Sequence, residues 1–285
     1  MTRAPQTDYF VPTSLDEAAA IRRDQPQTVL VAGGTATSLF LRRRRRPVID
    51  LRDCVPQTME CRGGSIRVGG MVTLATLVCW LTEQGSSTAQ LVATAASRVG
   101  SSFIRNAATF GGSTVACFRW SDLPAALLVV EARMVLRLPT GRDQVVKANE
   151  FFSSHPARLF RDGAILTHVE FPHTQTRGWS FLKLSTNKFG HAVWNAAAIW
   201  DAARGSSRVA LSAGLSLPRR LVRTEAILND GTPRRDQIMK AAGKDLDELG
   251  VVASRTVSRS YRRSTGPVIV ADVVDEALRR GGAQE

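Results

Sequence analysis

Short apolar runs separated by amphipathic stretches fill the first 173 residues, and this pattern predicts alternating strands and helices. A helix is expected through Arg23, because Ser14 and Glu17 have the spacing of a capping box. A stretch rich in small residues at 101–115 is expected to be a loop. The predicted strands are 28–32, 48–51, 66–69, 134–138, 144–147 and 164–171, and the further helices are 35–43, 74–83, 88–99, 122–130 and one near Phe151.

The pattern changes after Pro172, where three stretches alternate apolar and polar positions. Residues 178–184, 193–201 and 208–215 are therefore predicted to form an antiparallel sheet. Helices are expected near 224–228, 235–242 and 267–280. These differences place a domain boundary near residue 173, with domains at 1–173 and 174–285.

Composition places the chain among proteins that bury an apolar core. Of its 285 residues, 44% are hydrophobic and 22% are charged. The longest apolar run, 123–130, is much shorter than the roughly 20 residues that span a membrane, and the N-terminus lacks the apolar segment of a signal peptide. We therefore expect a cytoplasmic protein without membrane insertion.

The positive charge does not by itself indicate a nucleic-acid partner. Lys and Arg number 38 against 25 Asp and Glu, but only five of the cations are Lys and the Arg residues are scattered along the chain. The one dense run, 42–46, follows a predicted helix and is expected to face solvent or a partner subunit. No basic strand is interleaved with aromatic residues, so we predict no nucleic-acid binding.

The cysteines and histidines do not have the spacing of a metal site. The chain has four Cys without a C-x-x-C pair, and its four His form no H-x-x-x-H pair. We expect reduced, mostly buried thiols and no bound metal. A G-x-S-x-G nucleophile motif is also absent from the sequence, and no catalytic residue is assigned.

A glycine turn follows the first strong strand. The segment Gly33-Gly34-Thr35-Ala36 separates that strand from a predicted helix, an arrangement in which bare backbone and a helix N-terminus can bind phosphate. Asp50 ends the next strand, where a Rossmann fold would have its ribose-binding acid, but the third glycine of that motif is missing. Taken alone, the segment is also compatible with a structural turn.

A second glycine loop strengthens the phosphate interpretation. It contains Thr109, Gly111, Gly112 and Ser113, and Asp122 follows at the start of an apolar helix. Two such loops can hold one pyrophosphate from two sides, while a carboxylate takes a donor from the ribose or adenine. This arrangement is typical of an extended FAD.

Five stretches together resemble the FAD-binding medium subunit of molybdenum hydroxylases: VAGGTATSLFLRRR, IRNAATFGGSTVA, DLPAALLVVEARMVL, DGAILTHVEFP and FLKLS. The resemblance covers nearly the whole chain, in order. It implies an α+β fold, in which a two-part FAD-binding domain of the vanillyl-alcohol oxidase/MurB type precedes a C-terminal flavoprotein domain. The two parts would be about 1–55 and 56–173, and the C-terminal domain would be 174–285.

The resemblance also implies the cofactor contacts. Two turns would grip the pyrophosphate of a non-covalent FAD, Asp122 would bind its sugar or a nearby group, Leu166 would contact it through its backbone, and Lys183 would lie near the isoalloxazine or a phosphate. The turn residues are Ala32, Gly33, Gly34, Thr35 and Ala36 on one side and Thr109, Phe110, Gly111, Gly112 and Ser113 on the other.

Three segments depart from the family pattern: Ala36, Phe118-Arg119-Trp120 and Asn187. They bear on the electron acceptor and on the shape of the cavity over the flavin, more than on FAD binding.

The implied role is electron transfer. An iron–sulfur subunit with [2Fe-2S] clusters and a molybdopterin subunit would be the partners, because this chain has no cysteine framework for a cluster. The alternative is a stand-alone FAD-dependent oxidoreductase that acts directly on a small molecule.

Overall fold

The computed structural model describes residues 8–37, 46–160 and 163–282. Most of the predicted helix 35–43 and nearly all of the arginine run 42–46 lie outside these ranges. The first described layer is a parallel sheet with strand order β1-β3-β2, formed by β1 (Tyr9–Phe10), β2 (Val29–Val31) and β3 (Val48–Asp50).

Helix α1 (Leu15–Asp24) connects the first two strands of this sheet. The Ser14 hydroxyl accepts a hydrogen bond from the Glu17 backbone N–H, which confirms this half of the predicted capping box. The Glu17 carboxylate does not reach back to Ser14 as predicted. It accepts from the Thr13 backbone N–H.

A five-stranded antiparallel sheet follows, with strand order β4-β5-β8-β6-β7. Its hairpin between β6 and β7 and its central strand β8 were predicted, whereas β4 was not. The strands are β4 (Met59–Arg62), β5 (Ser65–Gly69), β6 (Arg133–Arg137), β7 (Asp143–Lys147) and β8 (Ile165–Pro172). The accompanying helices are α2 (Leu74–Glu83), α3 (Ser87–Ser97), α4 (Ser102–Ala107), α5 (Phe110–Ala116), α6 (Leu123–Val129) and α7 (Ala148–Phe151).

The predicted loop at 101–115 is wrong, because this stretch forms the two short helices α4 and α5. Ser101 and Thr109 cap these helices, because the hydroxyl of each accepts a hydrogen bond from the backbone N–H of the residue three positions later. Glycine and small residues gave no helical periodicity, and isolated helices of six and seven residues are not stable by themselves. Tertiary packing therefore decides these elements.

The C-terminal part contains the predicted antiparallel sheet, with strand order β12-β11-β10-β9. Its strands are β9 (Gly178–Ser185), β10 (Ala192–Trp200), β11 (Arg208–Ser212) and β12 (Arg219–Arg220). The three predicted helices are α8 (Val222–Asn229), α9 (Arg235–Leu249) and α10 (Arg259–Arg280). All three are longer than predicted, and the last extends furthest, because its first turns are polar and it continues through Pro267.

Strand β10 is buried on both faces and joins two cores. Ala197 and Ile199 belong to the core around helices α3 and α6, whereas Trp194 and Ala198 belong to the core under α10. The C-terminal sheet therefore packs against the N-terminal helices on one face and against its own helices on the other. The predicted α+β class, with antiparallel sheets, is confirmed.

Among the residues that the structure describes, no helix is long and apolar enough to cross a membrane. The expectation of mostly buried thiols is wrong. Cys117 is buried and Cys54 is half-buried, but Cys61 and Cys79 are exposed.

Candidate functional site

The first glycine turn directly follows β2, and a glycine is needed at its two positions for different physical reasons. Gly34 has a φ of 71°, a left-handed conformation that side chains disfavour, and a Cβ added there would meet nothing within 4 Å. A Cβ added at Gly33 would lie 1.8 Å from the Ala107 carbonyl oxygen. Gly33 therefore lets the backbones of the two turns approach each other.

The second glycine turn is the beginning of helix α5. The Thr109 hydroxyl accepts the Gly112 backbone N–H at 3.0 Å, and the Gly111 backbone N–H donates to the Gly70 carbonyl at 2.9 Å. A Cβ at Gly111 would be 2.8 Å from Gly70, and one at Gly112 would be 3.6 Å from the Ala32 Cβ. The two predicted turns are therefore neighbours in the fold.

Open backbone that a pyrophosphate could approach lies in the first turn, at Gly34. The backbone N–H groups at the start of α5 already donate within the chain, those of Phe110 and Gly111 to the Val72 and Gly70 carbonyls and those of Gly112 and Ser113 to Thr109. The predicted residues are not equivalent, however. Phe110 is fully buried in the core, so its side chain supports the turn, whereas Thr35 is exposed.

Asp122 and Lys183 form one buried ion pair. Lys183 Nζ lies 3.0 Å from Asp122 Oδ1 and donates to the Arg98 carbonyl at 2.9 Å, and both charged side chains are less than a tenth exposed. Asp122 precedes helix α6 but does not cap it with its side chain. Burial raises the pKa of Asp122 to about 6, and Lys183 opposes this by favouring the ionised carboxylate.

Leu166 is connected to the second turn by Gly70, a residue that was not predicted to belong to the site. The Gly70 backbone N–H donates to the Thr167 carbonyl at 2.7 Å, and a Cβ at Gly70 would lie 2.9 Å from the Leu166 carbonyl oxygen. Because Gly70 also contacts Gly111, it connects β8 to the glycine turn. The Gly69-Gly70 pair at the end of β5 was the available signal.

The unusual aromatic segment lies at the far end of helix α5. Trp120 is stacked between Phe118 and His191, with ring centroids 5.0 and 4.4 Å away. A cavity of about 500 Å³ opens beside Trp120 and is also lined by Arg119 and Arg158. Asn187 belongs instead to a surface turn, where its side-chain oxygen accepts the Phe189 backbone N–H.

Residues 5–174 match the family described as the FAD binding domain in molybdopterin dehydrogenase, and the chain belongs to this family. Among curated relatives, caffeine dehydrogenase subunit beta of Pseudomonas sp. is 29% identical over 61% of this chain. The carbon monoxide dehydrogenase medium chain of Hydrogenophaga pseudoflava is 27% identical over 63%. The matched regions span 60% and 64% of those two relatives.

Solved structures show the same fold over the whole chain. Carbon monoxide dehydrogenase from Hydrogenophaga pseudoflava superposes with a TM-score of 0.87 at 23% identity, covering 97% of this chain and 98% of that one. Quinoline 2-oxidoreductase from Pseudomonas putida 86 gives 0.84 at 23% identity, with both chains fully covered. The resemblance drawn from the motifs is confirmed, and so is FAD as the cofactor that defines the family.

Proposed function

We propose that this chain is the FAD-binding subunit of a molybdenum-hydroxylase-type dehydrogenase and holds FAD non-covalently between its two glycine turns. One observation carries the proposal. Gly33 lies against the Ala107 backbone while Gly112 lies near Ala32, so two turns 74 residues apart at Gly33 and Ala107 form one backbone-lined cradle. Packing accounts for Gly33, Gly111 and Gly112, whereas Gly34 borders open space beside the second turn's neighbour Gly33, which supports a ligand there.

The residues of this chain have distinct roles in the proposed site. The open backbone of the first turn at Gly34 would lie against the pyrophosphate. The second turn, whose N–H groups are bonded within the chain, would support the first turn through the close approaches of Gly33 to Ala107 and of Gly112 to Ala32. Asp122 accepts a hydrogen bond from a sugar hydroxyl or a nearby group, and Leu166 contributes backbone. Lys183 holds the Asp122 carboxylate in its ionised form and adds positive charge near the cofactor.

The proposed domain organisation follows the resemblance. The two-part FAD-binding domain, of the vanillyl-alcohol oxidase/MurB type, comprises about 1–55 and 56–173, and the C-terminal domain is 174–285. The separation of the chain into three sheets supports this division, because each proposed part contains one complete sheet. Strand β8 ends at Pro172, directly before the proposed boundary.

The proposed partners are an iron–sulfur subunit with [2Fe-2S] clusters and a molybdopterin subunit, in the cytoplasm. When bound, FAD supplies one- and two-electron redox chemistry, which suits transfer from partner clusters to an external acceptor. One relative, from Paenarthrobacter nicotinovorans, is named 6-hydroxypseudooxynicotine dehydrogenase complex subunit alpha and is 25% identical over 98% of this chain. The described residues contain no cluster of three or more metal-ligating side chains, so the metals are assigned to partners.

The cofactor proposal is tested with the purified full chain. We expect flavin absorbance at close to one FAD per chain, and release of that flavin into the supernatant on acid precipitation. Flavin that stays with the pellet would show covalent attachment, and a chain that neither carries nor takes up FAD would overturn the proposal.

The subunit role needs a separate experiment. We expect the chain to co-purify with the products of neighbouring genes, and its flavin to bleach when the substrate of that complex is added. If the isolated chain instead reduces its flavin with a small molecule and turns over, the stand-alone oxidoreductase replaces the subunit proposal.

A further inference from the structure

Three strands of the C-terminal sheet place polar side chains in one row. Asn195 on β10 is paired with Lys183 on β9 and with Ser212 on β11, so the three residues are in register across the sheet. All three reach the same two residues before helix α6. Asn195 Nδ2 and Ser212 Oγ each donate to the Ser121 carbonyl at 3.0 Å, and Lys183 Nζ contacts the Asp122 carboxylate.

Asn195 is costly at this position. Strand β10 is buried throughout, and Asn195 is fully buried among alanines and apolar residues. Its Oδ1 accepts no hydrogen bond from the part of the chain that the structure describes, which destabilises the fold relative to an apolar residue. Among the described residues, the Asn195 side chain donates to the Ser121 carbonyl and lies against the Asp122 carboxylate, and these contacts supply something that packing does not.

What the row supplies is a fixed carboxylate. Asp122 stands at the N-cap of helix α6, but its side chain makes no cap hydrogen bond there. Asn195 and Ser212 donate to the carbonyl of the preceding residue, Ser121, and Lys183 contacts the Asp122 carboxylate itself. The Asn195 amide also lies against the Asp122 carboxylate and favours its ionised form.

We propose that Lys183, Asn195 and Ser212 form a polar row that fixes the Asp122 carboxylate for FAD, and that Asn195 and Ser212 are positioning residues of the flavin site. This inference rests on the proposed function, in which Asp122 contacts the cofactor. It extends the part of the C-terminal sheet in cofactor binding beyond Lys183 of β9 to β10 and β11, since these strands orient a residue of the N-terminal part.

The competing explanation is that the row only attaches the sheet to the N-terminal helices. Both explanations predict a less stable protein when the row is broken. They differ in the FAD affinity they predict for the variants and in how that affinity depends on pH.

Burial raises the pKa of Asp122 to about 6, so FAD affinity is expected to rise as the carboxylate ionises around that pH. Lys183 is the charged side chain in contact with the carboxylate among the described residues, while β10 and β11 contribute neutral Asn195 and Ser212 and the end of α3 contributes the Arg98 carbonyl.

The test uses the full chain freed of flavin and titrated with FAD between pH 5 and 8, with the unfolding midpoint measured in parallel. We expect S212A to raise the FAD dissociation constant about 3- to 10-fold, the equivalent of one hydrogen bond. N195A is expected to raise it about 10-fold or more and to move the pH midpoint of affinity upward by about 0.5 unit. S180A is the matched control, because Ser180 is a buried serine of β9 that is not bonded to Ser121 or Asp122.

The outcomes separate the two explanations. If S212A and N195A bind FAD with the affinity and pH profile of the unmodified chain while only their unfolding midpoints fall, the row is an attachment and the inference is overturned. If D122N also binds FAD normally, the inference is overturned while the proposed function stands. If the unmodified chain takes up no FAD, it is the proposed function that fails.

Discussion

The two glycine turns use the same residue for different reasons. In the first turn, Gly34 is required by its backbone conformation, with a φ of 71° and open space around it. In the second turn, neither Gly111 nor Gly112 has a positive φ. Gly111 is instead required by its neighbour, because a side chain there would lie 2.8 Å from the Gly70 backbone.

Gly33 belongs to the first turn in sequence, but, like Gly111 of the second turn, it is required because another backbone segment approaches closely. Its absent side chain makes room for the Ala107 carbonyl, as that of Gly111 makes room for Gly70. The cradle is therefore shaped by backbone contacts between distant segments, and only Gly34 borders open space. Substitutions at Gly33 and Gly111, which lie in close backbone contact, should mainly lower stability. A substitution at Gly34 should mainly weaken FAD binding.

The largest effect is expected for Gly33→Ala. Its Cβ would meet the Ala107 carbonyl oxygen at 1.8 Å, so the two turns must separate. We expect the free energy of unfolding in urea to fall by about 3 kcal/mol, together with loss of bound FAD. Gly190→Ala is the control, because the atoms nearest its Cβ belong to the exposed Asn187 side chain, which can shift, and it should cost about 0.5 kcal/mol or less. A Gly33→Ala protein as stable as this control would refute the contact between the turns.

An intermediate effect is expected for Gly111→Ala. The contact with Gly70 should cost about 2 kcal/mol, measured by the same urea unfolding. Gly243→Ala provides the matched control, because Gly243 also lies in a helix but has open space around it. That change should stabilise the protein by about 0.5–1 kcal/mol. If Gly111→Ala also raises the free energy of unfolding, the contact with Gly70 is relieved without destabilising the protein.

The smallest effect on stability is expected for Gly34→Ala. A side chain in the left-handed conformation should cost about 1 kcal/mol, and Gly141→Ala should cost the same, because Gly141 has a φ of 80° and open surroundings. Only Gly34→Ala should also weaken FAD binding, by about 10-fold in a fluorescence titration. Equal FAD affinities for the two variants would remove Gly34 from the cofactor site.

Local signals explain most of what could be predicted. The helix cap at Ser14, the β6–β7 hairpin and the antiparallel strands β9, β10 and β11 were predicted from neighbouring residues, and all are present in the structure. The alternation is not, because β10 is buried on both faces. The strands that were missed, β1, β4 and β12, contain two to four residues. Runs this short show no clear period, and their pairing comes from distant strands.

The proposed site shows the same division. Both glycine turns and Asp122 were predicted from residue types and spacing, and the resemblance added Leu166 and Lys183. The contact of Gly70 with the second turn and the salt bridge between Asp122 and Lys183 could not be derived in this way. They join residues 41 and 61 positions apart, between elements that the sequence does not orient.

The sequence by itself was enough to recognise the family and the α+β class, because five stretches in order resemble that family, and to nominate the residues of the proposed phosphate cradle, because these depend on residue type and spacing. Only the tertiary structure decided that Gly33 and Gly111 are packing glycines, that 101–115 is helical, and that β10 carries a buried Asn toward Asp122. The physical reason is that close backbone approach and burial of polar groups are properties of the assembled layers. No single segment contains the neighbour that makes a side chain at Gly33 impossible or an amide at Asn195 useful.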